Sequence, residues 1–254
     1  MKRIVVASLA LLLSGCQHWQ NEQKVEAHKR WYSTRSRVVV GVGREHLKVG
    51  ALDSALGSAN EALAMDPNCQ PARLLKARTL IEQGHYIAAI EELETLRQTR
   101  PDDPEVAFLL GVSFEKRGEY AEAMGHYQRA RALAPQNDAY VSASAEALVS
   151  WGKPELALEL VESRLRRSRV TPSLFALAGE LAVLVGRHEA AAEYYRRALD
   201  ADPDDLAVRE GLAKALYFSG RNAEAEGLLQ RLIQRKEYAD KVSWVYVMRG
   251  DCLL

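Results

Sequence analysis

Six glycines fall at one fixed step: Gly50, Gly84, Gly118, Gly152, Gly186 and Gly220 are each 34 residues apart. Five residues after each stands an alanine: Ala55, Ala89, Ala123, Ala157, Ala191 and Ala225. Seven residues before each stands Gly43, Ala77, Gly111, Ala145, Gly179 or Ala213, always one of the two smallest side chains. A period of this length marks stacked supersecondary units, because a single unit cannot bury its own apolar face and needs its neighbours.

The third unit, EVAFLLGVSFEKRGEYAEAMGHYQRARALAP, shows what one period builds. Apolar residues recur at helical spacing up to Phe114, Gly118 follows a basic pair, and a second amphipathic run extends from Tyr120 to Leu133 before Pro135. The expected order is helix, turn, helix, stop. Glycine ends the first helix in a left-handed conformation without a Cβ clash, and proline cannot continue the second. Small residues such as Gly111 and Ala123, one on each helix, let the two backbones approach closely.

The unit resembles the tetratricopeptide repeat, with Gly111, Phe114, Tyr120, Ala123, Tyr127, Ala130 and Pro135 at signature positions, and the fifth unit repeats it with Gly179, Ala191, Tyr195, Ala198 and Pro203. The resemblance implies an all-α fold, a right-handed α-solenoid of helix-turn-helix repeats, with six units over residues 36–239. Units one, three and five pair Gly with Ala62, Ala130 and Ala198, whereas units two, four and six pair Ala with Leu96, Arg164 and Leu232. The array therefore alternates. Unit four departs furthest, with Arg164 and Arg169 where the family carries alanine and proline; Leu165 is expected to turn inward in place of Arg164, and the stacking to be locally irregular.

In this family the first helix of each hairpin lines a concave groove that binds protein or peptide partners. The corresponding positions are Val40, Arg44 and Lys48 in the first unit, Leu74 and Arg78 in the second, and Phe108 and Val112 in the third. Ser142 and Glu146, then Ala176 and Glu180, then Glu210, Lys214 and Tyr217 follow from the fourth, fifth and sixth. This distribution predicts a basic N-terminal half and an acidic C-terminal half, and hence a peptide with its acidic groups toward the N-terminal end. The asparagine-containing carboxylate clamp of chaperone-binding relatives is missing from these positions. The cluster RLRRSR, Arg164 to Arg169, reads either as an anion-docking patch or as solvated arginines complementing a helix C-terminus.

Composition narrows the function. The chain carries 34 basic and 34 acidic residues, and this balance gives no basic stripe for nucleic acid. The six histidines have no Cys or Glu partners at zinc-motif spacing, so no metal is expected. GVGREH at Gly41 contains GxG but lies inside a helical repeat rather than after a strand, which removes the dinucleotide reading. No phosphate loop or nucleophile elbow is present, and the repeats occupy most of the chain, so no enzyme and no cofactor are expected. Cys69 and Cys252 are expected to be free thiols, far apart in an elongated array.

The two ends carry a different message. Lys2 and Arg3 precede an apolar run, Ile4 to Leu13, which at about ten residues is half of what a membrane span needs. The run closes on Leu13-Ser14-Gly15-Cys16, which resembles the lipobox of bacterial lipoproteins. That resemblance implies a signal peptide over 1–15, lipidation of Cys16, and, with Gln17 rather than aspartate next, the outer membrane facing the periplasm. Residues 16–35 are then a polar tether, its Trp19, Trp31 and Tyr32 placed either at the bilayer interface or against the first repeat. Residues 240–254 begin the first helix of a seventh repeat or cap, with Gly250 at its contact position. The expected function is a lipid-anchored scaffold in assembly or localisation of a cell-envelope complex, as in the pilotin-type lipoproteins it resembles; the alternative is the recognition arm of a longer enzyme.

Overall fold

The computed structural model describes residues 2–167, 170–234 and 243–253, with side chains from residue 23 onward, residue 243 excepted. Within them all regular structure is helical, in thirteen helices. The order is α1 (Lys2–Lys48), α2 (Leu52–Met65), α3 (Gln70–Glu82), α4 (Tyr86–Thr99), α5 (Pro104–Lys116), α6 (Tyr120–Leu133) and α7 (Asp138–Ser150). There follow α8 (Pro154–Leu165), α9 (Pro172–Leu184), α10 (His188–Leu199), α11 (Leu206–Phe218), α12 (Asn222–Ile233) and α13 (Ser243–Cys252). The helix-turn-helix order expected from the period is therefore present in all six repeats.

Each turn between paired helices uses the periodic glycine as its left-handed residue, with φ between 74° and 78° at all six. The accompanying hydrogen bonds are those of a helix stop: Gly84 N–H donates to the Ile81 carbonyl at 2.9 Å and His85 N–H to the Leu80 carbonyl at 2.8 Å. The second helices α2, α4, α6 and α10 end two to four residues before Pro67, Pro101, Pro135 and Pro203. At helix starts, the Asp103 carboxylate caps α5 by accepting from the Glu105 N–H at 2.8 Å.

The chain divides into two compact units, Met1–Arg117 and Gly118–Leu254. The first holds α1 to α5. Its core comprises Val40, Ala59, Ala62, Cys69, Ala72 and Leu75 around repeat one, and Leu74, Ala77, Leu93, Leu96, Val106 and Leu110 around repeat two. Leu93 and Leu96, fully buried from α4, each contribute about 2 kcal/mol of apolar burial. A Cβ on Gly43 would stand 2.5 Å from Leu75 Cδ2 and 2.9 Å from Ser58 Cβ, so only glycine fits there. Among the described side chains of α1, Ser36 is the first that is buried. Upstream, the polar segment expected as a tether is helical and continuous with repeat one. Trp31 and Tyr32 stay exposed against each other, ring centroids 4.9 Å apart, and are not part of the first repeat's core. The Cys16 and Trp19 side chains lie outside the described ones.

The second unit holds α6 to α13 around one continuous apolar cluster that runs from Val141 to Val245. It shows why repeat five needs glycine at the small-residue register. Repeats three and five place Tyr127 and Tyr195 where repeats two, four and six place Leu93, Val161 and Leu229 and repeat one places Ala59, all of them buried. A Cβ on Gly179 of α9 would meet the Tyr195 ring at 2.7 Å, and one on Gly211 of α11 would meet the same ring at 2.6 Å. The phenol is held between two glycines, whereas the aliphatic partner in even repeats leaves room for alanine.

Repeat four corrects the sequence reading. Arg164 takes the buried register of Leu96 and Leu232 itself, 3% exposed, and Leu165 does not replace it. Its Nε lies 2.8 Å from Oδ1 of Asp138, which is 8% exposed. The other Asp138 oxygen accepts the Thr171 N–H at 2.7 Å and so ties the start of α7 to the start of α9. Arg166 and Arg167 are exposed and Arg169 lies outside the described residues, so the run of arginines is not one solvated patch.

Candidate functional site

The first helices of the repeats carry the positions expected to face a partner, and the structure sorts them by the company each side chain keeps. In the first unit Val40 and Leu74 are buried in the core, which corrects their assignment to the groove. Phe108 and Val112 are half-buried on α5. Arg44 is exposed. Lys48 is exposed but bonded to Glu45 at 2.8 Å, and Arg78 on α3 is ion-paired with Glu105 on α5. The basic half predicted from sequence is therefore largely matched by the chain's own carboxylates, with Arg44 the exception among these three.

In the second unit the outer positions are likewise engaged. Lys214 Nζ bonds Glu210 at 2.6 Å and lies 4.3 Å from the centre of the Trp244 ring. Tyr217 donates to the Asp251 carboxylate at 2.8 Å. Both contacts are made with or beside α13, which buries Val245 and half-buries Trp244 and Met248, and leaves Tyr246 and Val247 exposed, as is Leu253 just beyond it. Gly250 has nothing within 4 Å of its Cβ position among the described residues.

Ser142 and Glu146 on α7 and Ala176 and Glu180 on α9 form the open part of this unit. A cavity of about 340 Å³ between the two helices is lined by Glu146, Val149, Ser150, Leu177, Glu180, Leu181 and Leu184. A broader recess of about 1030 Å³ lies over Ser142 and Ala143, bounded by the loop from Ala134 to Ala139 with Thr171 and Ser173. Glu146 lines both. Burial, and then the Glu146 charge, push the Glu180 carboxyl above its ordinary range. No cation faces either group among the described residues, so the site sets two like charges beside an apolar wall.

The apolar wall is what sequence reasoning missed. Leu184, 57% exposed in the last turn of α9, carries a signal in the sequence, since it lies two residues before the turn glycine Gly186 where a polar residue is usual. Cys69 is buried and Cys252 half-buried, both with free thiols as expected. Among the described residues no group of three His, Cys, Asp or Glu is placed to hold a metal ion, and no helix is long and apolar enough to cross a membrane.

Paired helices in a 34-residue period, glycine-stopped and small at the contact, define a helical-repeat protein. A tetratricopeptide repeat model matches residues 74–138 and 143–205, half of the chain, and a second such model matches 182–237. The chain belongs to the tetratricopeptide repeat family. It is 26% identical over 167 residues to cellulose synthase operon protein C of Pseudomonas fluorescens, which is 63% of this chain and 13% of that protein. It is 28% identical over 208 residues to a TPR repeat-containing protein of Treponema pallidum, 79% of this chain and 24% of that protein. The chain thus spans a quarter or less of these two curated relatives. Its fold is shared with pilF of Pseudomonas aeruginosa, at a TM-score of 0.64 and 17% identity over 87% of this chain and 97% of that one.

Proposed function

We propose that the chain is a lipid-anchored scaffold that docks a peptide segment of an envelope protein on the α7/α9 face. Membership of the family supports protein binding as the general activity. The observation that carries the site is the pair Glu146 and Glu180 beside the apolar wall of Val149, Leu177 and Leu184. A lysine or arginine from the partner relieves the repulsion of the two carboxylates, and an adjoining aliphatic side chain covers the wall. This reverses the polarity read from sequence, because Arg78 and Lys48 already have their anions. Anchoring rests on Lys2, Arg3, the apolar run and Cys16; more than one acyl chain on that cysteine satisfies the requirement for stable attachment without a transmembrane helix. The fold shared with pilF favours a role in assembly or localisation of a pilus or secretion complex, at the outer membrane facing the periplasm.

A photo-crosslinker in place of Leu184, used in cells expressing the full chain, tests the site. Adducts with an envelope protein are expected, and charge reversal by Glu146→Lys with Glu180→Lys should abolish them. Adducts unchanged by the reversal would remove this face from partner binding. A second reading, the recognition arm of a longer enzyme, is favoured by the small share of its relatives' length that this chain spans. The full reading frame decides it, since a catalytic domain after residue 254 would replace the scaffold as the principal activity.

A further inference from the structure

A second cavity, of about 380 Å³, lies among α6, α7 and α8 and shares only Pro135 with the recess over Ser142. Its floor is apolar, from Ala132, Pro135, Val141 and Leu160, and its charged lining is Arg131, Arg164 and Arg167. Arg164 is matched by Asp138. Arg131 is half-buried, its Nε shielded from solvent without a hydrogen-bond partner, and burial alone pulls its basicity down. Neither Arg131 nor exposed Arg167 has an ion-pair partner among the described residues. A desolvated guanidinium without an anion is unfavourable, and cations in such positions are normally paired.

The charge sets the class of ligand. Arg131 and Arg167 bring two positive charges, while α6 and α8 both end at this cavity and each contributes about half a negative charge from its last carbonyls. The remainder, about one positive charge, suits a monoanion better than a dianionic phosphate. Planar guanidinium groups match a planar carboxylate through paired hydrogen bonds, and the apolar floor requires that the anion arrive on an aliphatic stem. We propose that this cavity binds the carboxylate of a Glu or Asp side chain in an acidic peptide segment of another protein. The site is separate from the α7/α9 face and does not depend on it.

The test is fluorescence anisotropy with the purified full chain in detergent and two rhodamine-labelled peptides, one with Glu between two leucines and the other with Gln in its place. The Glu peptide should bind about tenfold more tightly, and Arg131→Met or Arg167→Gln should remove that preference, each lost charged hydrogen bond being worth about tenfold. Arg166→Gln, one residue away and outside the cavity, should change nothing. Without peptide, Arg131→Met should melt at a higher temperature than the parent, because it removes a desolvated charge. Equal binding of the two peptides, an equal loss in Arg166→Gln, or stronger competition by inorganic phosphate than by acetate would each overturn the assignment.

Discussion

Replacing Arg164 by leucine restores the residue type found at the same register in repeats two and six, and sequence logic alone makes it a stabilising change. The structure reverses that expectation. Arg164 and Asp138 are 3% and 8% exposed with 2.8 Å between Nε and Oδ1, so Arg164→Leu strands a carboxylate in the core. Removing one partner of a buried pair costs about 3–5 kcal/mol. Asp138 keeps the Thr171 N–H at 2.7 Å, which places the loss near the lower end, about 3 kcal/mol. For a chain of this size that lowers the melting temperature by about 6–12 °C. Arg164→Leu with Asp138→Asn should recover most of it, since an amide oxygen can still accept from Thr171 and the leucine then meets no charge. Thermal unfolding by circular dichroism reads the global effect, and hydrogen exchange at the Thr171 amide reads the junction of α8 and α9. A single variant within 1 kcal/mol of the parent, or a double variant no better than the single one, would refute the reasoning.

Gly179→Ala gains about 1 kcal/mol in helix propensity, yet its Cβ meets the Tyr195 ring at 2.7 Å while Gly211 blocks retreat on the other side; a net loss of about 1–2 kcal/mol is expected from chemical denaturation, with a gain instead in a Tyr195→Leu background. Glu180, an acid whose folded pKa is raised, holds its proton more tightly folded than unfolded, so its contribution to stability is greatest below the ordinary carboxylate range and falls as pH rises through the raised folded pKa. Melting temperature against pH should show that fall in the parent and a shallower one in Glu180→Gln; identical profiles would mean that folding does not raise the Glu180 pKa. Cys16→Ser should move the full chain from the membrane to the soluble fraction of cells with its melting temperature unchanged, and continued membrane retention would argue against lipidation.

The helix pairs and their stops were legible because they depend on local rules repeated six times: a residue at positive φ, a small residue where backbones meet, a proline beyond the helix end. Gly179 could be read from the register, whereas Gly211 could not, since it falls outside every periodic position and is needed only because the Tyr195 ring from the neighbouring helix lands on it. Arg164 was misread for a related reason. At its register the family pattern offers small or apolar residues, and nothing local announces that Asp138, 26 positions earlier in the chain, supplies the charge that lets an arginine take the place.

The groove was legible as a set of positions and illegible as a field of charge. Which side chains lie on the first helices follows from the period, but which charges stay available depends on ion pairs between helices that no single repeat contains. Arg78 reaches Glu105 one repeat on, and Tyr217 reaches Asp251 in α13. Among the described residues Glu146 and Glu180 have no such cationic partner. A peptide selected by the summed sequence charge would carry acid toward the N-terminal repeats, whereas one selected by the uncompensated charge carries base toward α7 and α9. The crosslinking reversal at Glu146 and Glu180 separates the two, because only the second loses its partner.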